Sequence, residues 1–180
     1  MKLNDFVRVY DDVINKQTCG QLIDLFEGRY KDSHEVHDNE LYKFHQLNLG
    51  INDELRQISQ RFAQILVPYY NDYFKAVKLN DYVKVQGFEE VRIKRYLKGN
   101  NDEFKTHVDV TDKETCVRYL VAIMYLNDND GVTDFPTLGM TVKPQIGRVV
   151  MFPPMWMFPH SGKPPTNSNK YIMMTCLHYV

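Results

Sequence analysis

Along the first 88 residues the apolar positions recur at helical spacing, and beyond them they fall into short runs separated by turn residues. Phe6 to Tyr10 reads as a first strand. Asn15 is placed to cap a short helix whose Leu22, Ile23 and Phe26 share one face at i, i+3, i+4 spacing. Residues 28–40 are charged and polar and predict a surface loop, and 41–49 predict a strand. Asn52 opens a second helix with the stripe Leu55, Ile58, Phe62, Ile65 and Leu66. Pro68 leaves the end of that helix open, since a kinked continuation through 69–74 is allowed.

From about residue 89 the texture is that of a β protein. Aromatic and β-branched runs at 90–97, 104–110, 117–126, 140–143, 148–152 and 170–179 alternate with Gly, Pro, Asn and Asp breaks. Many short strands joined by turns predict an antiparallel sandwich or barrel. The expected fold is mainly β with N-terminal helices packed on one sheet. Residues 1–180 then form one domain, with helical support over about 1–88 and a β core over about 89–180. Strand parity sorts the faces: Val91, Ile93 and Leu97 on one side of the 90–97 strand, Arg92, Lys94 and Tyr96 on the other. In the next strand Val108 and Val110 oppose His107 and Asp109. One face is made for helices and the other carries polar chemistry.

Composition narrows the function. Lys and Arg number 22 against 23 Asp and Glu, a formal net charge of −1. That balance disfavours a dedicated nucleic-acid or anionic-membrane binder. Cys19, Cys116 and Cys176 are far apart with no Cys-x-x-Cys spacing, which gives no disulfide framework and suits a reducing compartment. Without a hydrophobic leader or an 18-residue apolar run, the expected location is cytoplasmic.

Three features suggest chemistry. In His107-Val108-Asp109 the imidazole and carboxylate are at i and i+2 on a strand, so both point one way and can share a metal ion. Taken alone, such a tripeptide is more often an ordinary hydrogen-bonded pair. His160 follows a distant strand and would complete two histidines and one carboxylate on one face of a metal. That arrangement leaves coordination positions open, as in non-haem iron(II) oxygenases. Lys170 lies on the adjoining strand, where it is either a solvated strand-end lysine or a buried cation able to pair with the far carboxylate of a dicarboxylic cosubstrate.

Residues 89–179 resemble the 2-oxoglutarate- and iron(II)-dependent dioxygenases, particularly the prolyl 4-hydroxylase-like group. The matching pieces are Arg95-Tyr96-Leu97-Lys98-Gly99, Phe104-Lys105-Thr106-His107-Val108-Asp109, Arg118 through Tyr125-Leu126-Asn127, Gly131-Val132-Thr133-Asp134-Phe135-Pro136, Gly147-Arg148 before Phe152-Pro153, and His160-Ser161-Gly162 before Lys170-Tyr171. They keep the family's order and about its spacing over half the chain. The resemblance implies a double-stranded β-helix, a jelly-roll core, with His107, Asp109 and His160 as iron ligands. It implies that Lys170 binds the C5 carboxylate of 2-oxoglutarate and that Tyr96, Tyr125 and Thr133 help hold it. It places Arg118 with the substrate. It further implies Fe(II), 2-oxoglutarate, dioxygen and ascorbate, with a peptide or protein substrate and prolyl 4-hydroxylation first. The same chemistry on another amino acid or small molecule, or a non-catalytic jelly-roll binding or sensor module, are the alternatives.

Several positions depart from the family's pattern. Asp130-Gly131-Val132-Thr133 stands where Gly-Gly-Glu-Thr is frequent, the 109–118 connection is short, and Cys176 occupies the usual position of a substrate-associated Trp. On a regular strand Cys176 shares the face of Lys170, so a smaller side chain there should widen the substrate mouth. Trp156 is either a core anchor or a rim aromatic beside His160. Arg118 and Tyr125 are seven apart and would face opposite ways on a regular strand, so both serve one site only if a bulge intervenes or Arg118 sits at the mouth. Arg92, Lys94, Arg95 and Lys98 read as a solvated rim, and His34 and His37 as exposed loop residues.

Overall fold

Both helices begin where an asparagine caps them. In the computed structural model, which describes residues 1–79 and 87–179, α1 spans Lys16–Glu27 and α2 spans Asp53–Ala76. The Asn15 Oδ1 accepts from the Thr18 N–H at 2.8 Å, and the Asn52 Oδ1 from the Leu55 N–H at 2.9 Å. Each thereby satisfies a donor that the first helical turn leaves unpaired. α2 runs unbroken through Pro68. Proline removes one backbone donor there, and burial of Leu66 before it and Tyr70, Tyr73 and Phe74 after it anchors both halves to the core. Among the described residues no helix is long and apolar enough to cross a membrane.

Among the described residues twelve strands follow one another: β1 Arg8–Tyr10, β2 Glu35–Asp38, β3 Lys43–Asn48, β4 Gly87–Phe88, β5 Arg92–Tyr96, β6 Phe104–His107, β7 Arg118–Tyr125, β8 Thr133–Phe135, β9 Met140–Val142, β10 Val149–Phe152, β11 His160–Gly162 and β12 Lys170–His178. Eight form one antiparallel sheet in the order β1-β10-β7-β12-β5-β3-β2, with β4 also paired to β12. The other four form a second sheet, β6-β11-β8-β9. One core lies between the helices and the large sheet, with Leu55, Phe62 and Leu66 packed among Val91, Ile93, Met124 and Met173. A second lies between the sheets and contains Tyr96, Val121, Tyr125, Phe135, Phe152, Ile172 and Cys176. Alternation along β5, β7 and β12 thus divides each strand between a helix-facing and a sheet-facing core.

The structure revises some boundaries. Residues 28–40 are not all loop, because β2 pairs with β3 from Glu35↔Gln46 to Asp38↔Lys43. The strand expected over 104–110 stops at His107, leaving Asp109 beyond it. β8 and β11 have three residues each, too few for a period-2 pattern to register. In the β7–β12 ladder Leu177 faces Leu120 while His178 faces Arg118, so Tyr119 is an extra residue. Tyr119 and Leu120 both enter the helix-side core. The bulge returns Arg118 to the side of Tyr125 and Cys176, which a regular strand would forbid.

Candidate metal centre

β6 and β11 are neighbours in the small sheet, with His107 and His160 as Cα partners. Asp109 reaches the same point from the loop after β6, where its backbone N–H donates to the Pro154 carbonyl at 3.0 Å. The His107 Nε2 lies 3.4 Å from Asp109 Oδ1, and the His160 Nε2 lies 3.6 Å from Asp109 Oδ2. One ligand atom from each of the three residues falls within 4.8 Å of the others.

The far nitrogens fix the rings. The His107 Nδ1 is 2.8 Å from the Lys105 carbonyl and the His160 Nδ1 is 3.2 Å from the Phe158 carbonyl. A carbonyl only accepts, so each Nδ1 carries a proton and each Nε2 is the nitrogen turned toward the common centre. Phe104 stacks on His107 with centroids 3.5 Å apart and planes 6° from parallel. Burial pushes the His160 pKa down to about 4, against the attraction of Asp109, so the ring is a neutral ligand at pH 7. Burial also acts to raise the Asp109 pKa, but the His107 contact and the attraction of both imidazoles and Lys94 outweigh it and hold the carboxyl below its ordinary value. The Asp109 Oδ2 is buried with no hydrogen-bond partner among the described residues. A buried anionic oxygen in that state needs a cation.

The floor of the same cavity is built by Lys170, Tyr96, Tyr125 and Thr133. Lys170 is 2% exposed, so it is not a solvated strand end. Its Nζ donates to the carbonyls of Gly131 at 3.1 Å and Lys163 at 2.9 Å. Burial pushes its pKa down to about 7, with Asp130 opposing. The Tyr125 hydroxyl and Thr133 Oγ1 are 2.7 Å apart. A buried cation flanked by neutral hydroxyls suits one end of a dicarboxylate.

Toward the mouth, Arg118 donates from Nε to Glu89 Oε1 at 2.5 Å and from a terminal nitrogen to the Asp109 carbonyl at 3.0 Å. Cys176 is buried in the wall of an outer groove beside Arg118. Trp156 is 77% exposed and lines neither the metal cavity nor this groove. His34 is not a free loop histidine, since it stacks on Phe26 with centroids 3.8 Å apart. Lys94 is not on a solvated rim: it is 7% exposed and lines both spaces. Strand parity with Tyr96 points Lys94 inward, against the commoner exposure of lysine.

The model of the 2OG-Fe(II) oxygenase superfamily matches residues 91–178, which contain all the residues of the centre and its floor. The chain belongs to that superfamily. It is a 2-oxoglutarate-dependent dioxygenase, of a family that uses Fe(II), 2-oxoglutarate and dioxygen. A relative described as "Putative prolyl 4-hydroxylase" from Acanthamoeba polyphaga mimivirus is 24% identical over 184 residues, covering 91% of this chain and 70% of that protein. The viral collagen prolyl hydroxylase of Paramecium Bursaria Chlorella virus-1 superposes with a TM-score of 0.73 at 18% identity, over 97% of both chains. A Pseudomonas putida prolyl-4-hydroxylase gives 0.73 at 14% identity over 97% of this chain and 93% of its own. A prolyl hydroxylase from Trichoplax adhaerens, in complex with a hypoxia inducible factor peptide fragment, gives 0.73 at 14%, over 98% and 85%. At these identities the likeness establishes a shared fold. The dioxygenase's own residues fit the family's cofactors: two imidazole nitrogens and an orphaned carboxylate oxygen for a divalent metal, and a desolvated lysine for a dicarboxylate.

Proposed function

We propose that this dioxygenase hydroxylates a peptide or protein side chain, with prolyl 4-hydroxylation as the leading activity and the two facing sheets as a double-stranded β-helix. The observation that carries the reading is the shared cavity, with a His-Asp-His cluster at one level and Lys170 at its floor. His107, Asp109 and His160 would hold Fe(II), and Lys170 would bind the C5 carboxylate of 2-oxoglutarate. Iron held there would supply the activation of dioxygen, one oxygen atom passing to succinate as 2-oxoglutarate loses carbon dioxide and the other to the hydroxylated C–H bond.

The chain's own contribution is placement. Carbonyls of Lys105 and Phe158 take up the two Nδ1 atoms, which leaves each Nε2 as the nitrogen available to a metal. Tyr96, Tyr125 and Thr133 orient the cosubstrate against Lys170. The apolar walls from Val121, Ile123 and Ile172 limit water around the reacting groups. Arg118, held by Glu89, and Cys176 border the groove through which a peptide would enter. Ascorbate fits as the reductant that restores Fe(II) after turnover without substrate.

The peptide reading is supported by the prolyl hydroxylases among the similar proteins and by a groove that opens beside the metal cavity. The test is an unbiased mass-spectrometric search for peptides gaining one oxygen after incubation with Fe(II), ascorbate and 2-oxoglutarate. Hydroxyproline in the products is the expected result. Oxygen gained only on another residue or on a small molecule would keep the dioxygenase and replace the substrate.

A further inference from the structure

Beyond its attraction for Asp109, Lys94 has no role in the reading above, yet it is buried, at 7% exposed. On β5 it lies two residues from Tyr96, on the same face and toward the mouth. Opposite it on β12 is Ile172, which offers no charge. Its Nζ sits 4.2 Å from the Phe44 ring centroid and 5.6 Å from that of Phe104, the ring that stacks on His107. The ammonium therefore stands on the flank of the metal centre, in a wall shared by the metal cavity and the outer groove of about 230 Å³.

The charges around it are already committed. Arg118 is held by Glu89, and Arg92 lies 3.8 Å from Glu89 and 3.9 Å from Glu90. Asp109 belongs to the His-Asp-His cluster. Lys94 makes no hydrogen bond and no ion pair within 4.0 Å among the described residues. Aromatic faces alone are a weak counterpart for a desolvated ammonium, and a structure that keeps such a cation facing a groove is set to receive an anion.

We propose that Lys94 is a specificity residue that receives the carboxylate of an acidic side chain next to the hydroxylated residue of a peptide substrate. This rests on the peptide hydroxylase reading and deepens it. A free cosubstrate carboxylate is the competing source of the same chemistry. It is disfavoured by position, because Lys94 faces the outer groove as well as the cavity whereas Lys170 faces only the floor.

Proline peptides of one sequence, with Glu or Gln on either side of the proline, would be titrated calorimetrically into zinc-loaded protein saturated with 2-oxoglutarate. Zinc is redox-inert, so binding is read without turnover. The wild type is expected to favour a Glu peptide by about ten- to a hundredfold, the range of a charge-assisted hydrogen bond. Lys94→Met should collapse that ratio toward one, and Lys94→Arg should restore part of it. A wild-type ratio near one, a ratio that survives Lys94→Met, or failure of every peptide to bind would overturn the proposal. So would a tenfold or greater loss of 2-oxoglutarate binding by Lys94→Met without peptide, which would assign the lysine to the cosubstrate. A Lys94-dependent Glu preference with no hydroxylated product under Fe(II) would uphold the recognition while removing the proline assignment.

Discussion

Lys170 and Tyr96 are Cα partners across β12 and β5, and the Lys170 Nζ lies 4.4 Å from the centroid of the Tyr96 ring. The lysine makes no ion pair among the described residues and is held by two carbonyls and an aromatic face. The fold therefore keeps a desolvated cation ready for an anionic ligand, at a cost that the ligand offsets on binding.

Replacing that cation should abolish cosubstrate binding without emptying the metal site. Removing one member of a buried ion pair typically costs about 3–5 kcal/mol, so Lys170→Met should weaken 2-oxoglutarate binding at least a hundredfold. Metal stoichiometry should stay at wild-type levels. Calorimetry with 2-oxoglutarate and metal analysis of the same sample check both halves.

The proton balance of that binding follows from the lowered pKa. Free Lys170 titrates at about 7, and a bound carboxylate raises it. Binding therefore draws in a proton above pH 7, and affinity should fall as pH rises from 7 to 9. Titrations at pH 8 in buffers of different ionisation enthalpy should show an uptake that Lys170→Met removes.

Gly131 lends one of the carbonyls that hold Lys170, and a Cβ there would stand 2.7 Å from the Lys163 carbonyl oxygen, the other acceptor. Gly131→Ala must displace one of them. We expect weaker 2-oxoglutarate binding with smaller change in metal affinity, measured on the same two assays.

Acid should destabilise the metal-free protein through His160. Its folded pKa of about 4 lies below the ordinary 6.5, so the stability it contributes is full above pH 6.5 and is lost as pH falls toward 4. The shift corresponds to about 3 kcal/mol. Denaturant unfolding of metal-free protein at pH 7 and pH 4 should show that loss, and His160→Gln should show a shallower dependence.

The parts of this account that were legible in sequence are those set by strong local rules. Asn15 and Asn52 announced their helices, and the alternation along β5 and β12 placed Tyr96 and Lys170 on one face. His107 and Asp109 meet as strand parity expects, but by a different route, since Asp109 lies past the strand end and is held by Pro154. The bulge at Tyr119 has no local signature, because it is a property of the β7–β12 pairing. Lys94 departs from the rim expected of it because lysine usually stays in water, whereas here Phe44 and Phe104 pack around its ammonium.

The most direct test of the proposed centre is an anaerobic titration of the Fe(II)-loaded protein with 2-oxoglutarate, followed by visible absorption. The account predicts a metal-to-ligand charge-transfer band that saturates at one 2-oxoglutarate per chain. Asp109→Ala and His160→Ala should lose it, and Lys170→Met should require far more 2-oxoglutarate to reach it. Wild-type protein that holds one Fe(II) yet gives no such band, or an undiminished band in the Asp109 and His160 variants, would contradict the assignment of His107, Asp109 and His160 as the iron site.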